Sequence, residues 1–264
     1  MTALEQRAQT SAGSPGTDES LESKIMDGLG TVMDPELDEP ITELKFVRSI
    51  AIDDDGVSVH LRLPTSFCSP NFAYLMASDA VDALELIDDI GVVRVYLDDH
   101  HDSDKINAGL AARAGYRGTF GQEAQESLVE LRETFLRKAH TAAMERSLSR
   151  LIAQGSATSE TVGRVTLRDL PEDQTTFALR RRRTAIGLSL CPNAPVLVDD
   201  QGRSLPDDQV PIRLRFARSV RISIEGNSHF CRGLLATRYA DDGDCAGTDG
   251  PLITNMRTRA ERSS

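Results

Sequence analysis

The sequence predicts an α+β protein: a small N-terminal domain in the order α-β-β-α-β, a long connecting helix, and a second small α+β domain. Three observations carry this reading. Val57, Val59, Leu61 and Leu63 alternate with polar residues in the period of two that marks a half-buried strand. Phe72, Leu75, Met76, Ala80, Ala83, Leu84 and Ile87 recur at helical spacing and form one apolar stripe suited to face a sheet. Charge divides the chain: residues 1–105 hold 22 acids against 7 bases, whereas residues 106–264 hold 19 acids against 23 bases.

Residues 1–17 contain Thr, Ser, Ala, Gly and Pro with Leu4 as their one large aliphatic residue, and read as a disordered lead. The first domain spans 18–105. Leu21, Ile25, Leu29 and Val32 line one face of a helix that stops near Asp34, because Pro35 disfavours helical geometry in the residue before it. Phe46 to Ile52 and Val57 to Leu63 are strands, and Asp53-Asp54-Asp55-Gly56 supplies residues that tolerate the positive φ of a hairpin turn. Pro70 suits the first position of the next helix, and Val92 to Leu97 after Gly91 is a third strand.

Residues 106–156 are a connector and a long helix. Gly109, Gly115, Gly118 and Gly121 punctuate an irregular stretch, followed by a helix from about Gln122 to Ala153 with Leu128, Leu131, Phe135, Ala139 and Ala142 on one face and Gly155 as its stop. Its charges, Glu126, Glu130, Arg132, Glu133, Arg137 and Lys138, read as a solvated face. The second domain spans 157–264. Val162 to Leu167 reads as a strand, Pro171 opens a helix carrying Arg180 to Arg183, and Val196 to Val198 with Asp199 to Gly202 suggests a hairpin. Ile212-Leu214-Phe216 and Val220-Ile222-Ile224 alternate with arginines as two further strands, and Asn255 to Ser264 reads as frayed.

With 264 residues and 39% hydrophobic content, the chain can bury one good core and a second small one. It has no apolar run of about 18 residues, and its polar start lacks the apolar core of a signal peptide, so a cytoplasmic protein with no membrane partner is expected. The acidic front domain would repel phosphates, which argues against a nucleic-acid partner. Cys68, Cys191, Cys231 and Cys245 match no zinc-finger or CxxC spacing and suit free thiols in a reducing compartment. GxGxxG, P-loop, GxSxG and HExxH motifs are all missing, which points away from an enzyme.

Cys68 stands just before a helix, where unsatisfied N–H groups and the positive end of the helix dipole favour thiolate over thiol. It reads as a metal ligand or nucleophile on that ground, or as a small buried hydrophobe on composition alone.

Asp34-Pro35-Glu36 after a first helix, Ile41 to Val47 leading into a strand, and Thr65 with Cys68 and Pro70 ahead of a second helix resemble the iron-sulfur cluster assembly domain of the SufT and PaaD type. The resemblance spans roughly residues 20 to 98. Relatives usually carry Leu-Gly where this chain has Leu44-Lys45, and many have Cys-Pro where it reads Cys68-Ser69-Pro70. The run from Gly109 through the long helix and the string Ser223 to Cys231 are similar to longer proteins associated with bacterial soluble diiron monooxygenases of the propane-oxidising kind. Together these resemblances imply an accessory factor that helps assemble or deliver an iron or iron-sulfur centre to a client oxygenase. Its partner would be a client metalloenzyme and its cargo a transiently held iron or cluster, with no organic cofactor. Cys68 would be the functional thiol and transient ligand. Thr65 and Ser66 would be donors to a bound sulfur or carboxylate, or caps of the helix, and Asp34 and Glu36 ligand oxygens, or a turn.

Two further ligand groups stand out. His100, His101 and Asp102 offer imidazole and carboxylate of the kind that suits iron, manganese or zinc, against a solvated acidic loop as the alternative. His229 and Cys231 follow Glu225-Gly226-Asn227, read as a turn that presents them, against a structural role. The Arg180 to Arg183 run reads as a solvated helix face or a docking site for an acidic partner, rather than a nucleic-acid groove. Two rival functions remain: a non-metal adaptor or assembly chaperone for a multi-subunit monooxygenase, and a thiol-dependent enzyme, for which His60 is the nearest candidate base. The sequence specifies no oligomeric state.

Overall fold

A computed structural model of the chain describes residues 20–124, 128–240 and 250–257. The expected lead at 1–17, Glu126, Cys245 and the last residues of the expected frayed end lie outside the described residues. The α+β class is observed.

The first helix, α1 (Leu21–Gly30), starts where the Ser20 side chain accepts from Ser23 N–H, and it buries Ile25 and Leu29. A two-residue ladder follows, β1 (Met33–Asp34) against β2 (Glu39–Pro40), which closes the Asp34-Pro35-Glu36 turn. The main hairpin pairs β3 (Val47–Ile52) with β4 (Gly56–Arg62), and its turn is built from the Asp53 carboxylate accepting Asp55 N–H and Gly56 N–H at 2.9 Å each. No residue from 53 to 56 takes positive φ; the Asp53 side chain does what a left-handed residue was expected to do. Helix α2 (Pro70–Glu85) then packs on α1 and on β5 (Val92–Asp98), which runs parallel to β4. Gly56 allows that pairing, since a Cβ there would lie 2.1 Å from the carbonyl oxygen of Val92.

The sheet order is β5-β4-β3-β6, and its fourth member, β6 (Leu252–Asn255), comes from the far end of the chain to run parallel to β3. The frayed reading of this stretch is therefore corrected for residues 255–257. Asn255 is in the strand, and Arg257 donates to the carbonyls of Asp53 at 3.0 Å and Ile90 at 2.8 Å. Ile25, Leu29, Phe46, Ile50, Val59, Leu61, Ala77 and Leu84 form the first core between helices and sheet. Each such fully buried large aliphatic contributes roughly 1.5–3 kcal/mol over its exposed state.

Beyond β5 the expected irregular connector is replaced by two short helices, α3 (Ser103–Ala111) and α4 (Gly115–Phe120), which bury Ile106 and Phe120 in the first core. The glycines that suggested irregularity serve packing and turns: a Cβ at Gly109 would meet the Thr119 hydroxyl at 2.0 Å, and Gly115 and Gly121 take positive φ. The long helix α5 (Leu128–Ala153) is present and is solvated along part of its first half. Its Arg132 is not a free surface charge, because it holds Asp79 of α2 through two bonds of 2.6 and 2.7 Å. From Ala139 to Glu145 the helix is buried on every side, wedged between α6 (Gln174–Ala185) and α7 (Val210–Arg238).

The C-terminal part corrects several strand expectations. Val162–Arg164 and Leu167–Asp169 are single 3₁₀ turns, and between them Thr166 forms an isolated bridge with Pro195 in place of the expected strand. Val196, Leu197 and Val198 are buried as an extended segment without a ladder, and the Asp199 turn is closed by its own carboxylate accepting Gln201 and Arg203 N–H. Both arginine-rich runs, 212–216 and 220–224, lie inside the 29-residue helix α7. Its inward face is Val210, Leu214, Ala217, Arg221, Ser228, Cys231 and Leu235, and the polar members of that face hid the helical period from the sequence. Met144, Leu148, Leu179, Val196, Val198 and Ala217 make the second core.

The Arg180 to Arg183 run is not a solvated face either. Arg183 is buried and donates to the carbonyls of Ser189 and Pro195 at 3.0 and 3.1 Å, and Arg182 donates from Nε to the Asp38 carboxylate at 2.7 Å. Burial pushes the Asp38 carboxyl up, and the Arg182 guanidinium opposes that. Among the described residues, no helix is long and apolar enough to cross a membrane.

Candidate functional site

The loop between β4 and α2 carries Thr65, Ser66, Phe67 and Cys68. Ser69 is the N-cap of α2 without a side-chain cap bond, and Pro70 opens the helix, so Cys68 sits one residue outside it and is half-buried against the first core. Thr65 Oγ1 accepts from Phe67 N–H at 3.2 Å and lies 3.4 Å from Cys68 Sγ, so it contacts the thiol and does not cap the helix. Ser66 does not cap it either; its hydroxyl is taken by Arg238.

The loop after β5 packs on this one. His101 N–H donates to Ser66 carbonyl at 2.9 Å, and the His101 ring stacks on the exposed Phe67 ring at 5.9 Å. His100 is buried and has both ring nitrogens engaged: Nδ1 accepts Asp102 N–H at 3.0 Å, so Nε2 carries the proton and donates to Cys68 carbonyl at 2.8 Å. Its imidazole positions the cysteine backbone and has no lone pair left for a metal. His60 pairs with Asp98 at 2.9 Å and stacks on Tyr96, on the polar face of its strand.

On the other side lies the Asp34 turn. Asp34 is buried, and its Oδ1 accepts the N–H groups of Glu36 and Leu37 at 2.8 Å each. Burial pushes its carboxyl up to about 6 against those two hydrogen bonds. Glu36 is exposed and accepts from Asn227 Nδ2 at 3.2 Å.

The C-terminal half of α7 runs across both loops, a feature that sequence reading missed. Ser228 and Arg232 bind the Glu39 carboxylate, and Arg232 also donates to Glu43 carbonyl at 2.8 Å. One to two turns on, Arg238 donates to Leu63 carbonyl at 2.9 Å and Ser66 Oγ at 2.7 Å, and its guanidinium lies 5.1 Å from the Tyr239 ring centre. Leu235 enters the first core, and Cys231 and Cys68 each pack against that core. The Cys231 thiol is pushed up to about 11, chiefly by burial, with the neighbouring acidic groups, Asp34 first, adding to it. Glu225-Gly226-Asn227 is helix interior, not a turn, and it does not present His229 with Cys231: two positions apart on a helix, His229 faces solvent while Cys231 faces inward.

The structure thus places Cys68 with Thr65 and Ser66 in one loop, Asp34 with Glu36 in one turn and Cys231 on the inward face of the helix bonded to both, while His229 and Cys191 are exposed. The signal that could have found Cys231 was its spacing from Ser228 and Leu235, three and four residues away on one helical face. Among the described residues, no three His, Cys, Asp or Glu side chains group as a ready metal site. What the arrangement offers chemically is two thiols at the edge of an apolar core with carboxylates nearby.

No curated protein and no solved structure matches the chain. Residues 22–97, which hold Asp34, Glu36, Thr65, Ser66 and Cys68, match the family model described as iron-sulfur cluster assembly protein, and at that level the N-terminal unit carries a domain of this family.

Proposed function

We propose that this chain is an accessory factor that assists the assembly or delivery of an iron or iron-sulfur centre to a client oxygenase, with Cys68 as a transient ligand to the cargo. The family match of residues 22–97 supports the general assembly role. The observation that carries the ligand reading is the placement of Cys68: half-buried at the start of α2, its carbonyl held by His100 and its sulfur beside Thr65, within the matched segment. A carrier needs an incomplete ligand set, since a full set of tight ligands would trap the metal. Phe67, 82% exposed and one residue from the thiol, gives a client surface an aromatic to meet at delivery. The client we infer, a multi-subunit diiron hydroxylase or its reductase, rests on the resemblance of the regions after Gly109 and at 223–231, and the cytoplasm is the compartment that keeps such thiols reduced.

The second reading, a non-metal adaptor, is favoured by the exposed Ile212, Phe216, Ile222 and Phe230 of α7. One experiment separates them. In cells carrying Cys68→Ala, the carrier reading expects the client to be folded and iron-poor; client iron at the wild-type level would leave the adaptor.

A further inference from the structure

We propose that the outward face of α7 is a docking seam for an acidic amphipathic helix of a partner protein. The seam lies outside the matched residues 22–97 and makes no use of the cysteines, so it deepens the adaptor reading and holds equally if Cys68 carries iron.

The spacing of the outward residues starts the argument. Ile212, Phe216, Ser219, Ser223, Gly226 and Phe230 follow one another at intervals of four, three, four, three and four residues, all are exposed, and none is charged. Alternating intervals of three and four keep residues on one side of a helix and are those of a coiled-coil seam. Ile212, Phe216 and Phe230 are each more than half exposed, so large apolar side chains stand in water at both ends of a seam about 27 Å long. Leu214, Ala217, Ser228 and Leu235, on the opposite side of the helix, face inward and leave this side uncovered among the described residues.

Shape and charge state what fits. Between its large ends the seam is small, and a Cβ on Gly226 would meet nothing within 4 Å. At Ser219 and Ser223 it opens onto a cleft of about 270 Å³ between α5 and α7, lined also by Phe135, Val220 and Ile224. A partner helix with its largest apolar residues at its middle fills that space, the reverse of the seam's own order of sizes. The flanks are cationic, because α7 carries six arginines against one glutamate. Arg213, Arg221 and Arg232 are engaged by Asp200, Glu145 and Glu39, whereas Arg215 and Arg218, on the flank away from α5, are exposed and meet no carboxylate among the described residues. Across the cleft, Lys138 of α5 lies 4.4 Å from the Phe135 ring centre, and the cleft's carboxylate, Glu36, accepts from Asn227. Carboxylates along both edges of a partner helix answer these cations, and edge charges select partners in paired helices. A second copy of α7 would bring a net positive helix with small residues at its centre, which repels the flanks and leaves the cleft unfilled.

The test places the photo-crosslinking residue p-benzoylphenylalanine at Ser223 of the full chain, in the cells that express it, and maps the joined peptide by mass spectrometry. The expected product is a segment of another protein with apolar residues at three- and four-residue spacing and an excess of Asp and Glu. Reversing the flank, Arg215→Glu with Arg218→Glu, should cut the yield about tenfold while the melting temperature holds, since both side chains are exposed. In lysate of the same cells, raising salt from about 0.1 to about 0.5 M should lower the yield with no substitution on the flank. A joined peptide from this chain, whether from a second copy or from its own first residues, overturns the inference. So does a segment without the acidic excess, a yield indifferent to charge reversal or to salt, or no joined peptide at all. Client iron in Cys68→Ala cells is read separately, so failure of the carrier reading and failure of the seam are distinguishable.

Discussion

Arg238, at the last position of α7, donates to the Ser66 hydroxyl at 2.7 Å, joining residues 172 apart in sequence two positions from Cys68. The same guanidinium reaches Leu63 carbonyl at 2.9 Å and Asp99 carbonyl at 2.5 Å, so one side chain clasps both loops around the cysteine. A planar fork of fixed donors can serve such divergent acceptors; an ammonium group cannot do so equally well. Access to Cys68 is therefore linked to how firmly the end of α7 is docked.

Removing that clasp should loosen the loop. Arg238→Ala is expected to lose about 1–3 kcal/mol in urea unfolding, the range for leaving charge-assisted partners unserved, and to speed alkylation of Cys68 in the native protein. Arg238→Lys should fall between the two. Unchanged Cys68 labelling in the Ala variant would show that α7 does not govern the loop.

Asp34 should write itself into the pH dependence of stability. Its carboxyl is pushed up to about 6 from an ordinary 3.8, so the folded chain holds this proton more tightly than the unfolded chain does. Its contribution is full below the unfolded value and is lost as pH rises through about 6. Asp34→Asn keeps an oxygen for Glu36 and Leu37 N–H and cannot ionise, so its stability relative to wild type should rise between pH 4 and 7, by an amount on the order of 3 kcal/mol. His140 acts in the opposite sense: burial and nearby arginines lower it to about 4, so its contribution is present above 6.5 and lost as pH falls through 4. Because His140 is common to both proteins, the difference isolates Asp34. Urea titrations across that pH range that give a constant difference would refute the shift.

Strand β6 covers the edge of β3 from Ser49 to Ile52. Ending the chain at Asp249 uncovers those main-chain groups and removes the Arg257 bonds to Asp53 and Ile90. An open edge invites pairing with another copy. Sedimentation should then show a mass that grows with concentration, together with a lower melting temperature, whereas a monomer of unchanged melting behaviour would mean the edge needs no cover.

The N-terminal unit was legible because its periods are unmixed. Val57, Val59 and Leu61 alternate on β4, and Leu75, Met76, Ala80 and Leu84 line α2, so these buried faces are apolar throughout. The misread regions share a different trait. On α7 the inward face includes Arg221, Ser228 and Cys231, and on α6 it includes Arg182 and Arg183, whose charged and polar groups meet partners from other elements. Glu145 is buried against Arg221 for the same reason. Patterning arguments count such residues as solvent-facing, and burial of paired polar groups defeats them. At the site, Cys68, Thr65, Ser66, Asp34 and Glu36 were all visible as candidates, whereas the role of Arg238 and the inward aim of Cys231 were not.

The sequence by itself determined the order of elements in residues 20–98, the helix start that follows Cys68 and the acidic turn at Asp34, because these depend on contacts and dihedral preferences within a few residues. The tertiary structure decided what surrounds the thiol. It laid α7 across two loops, committed His100 to the cysteine carbonyl, and set Cys231 on the inward face of α7, since such contacts depend on side chains brought together from distant parts of the chain.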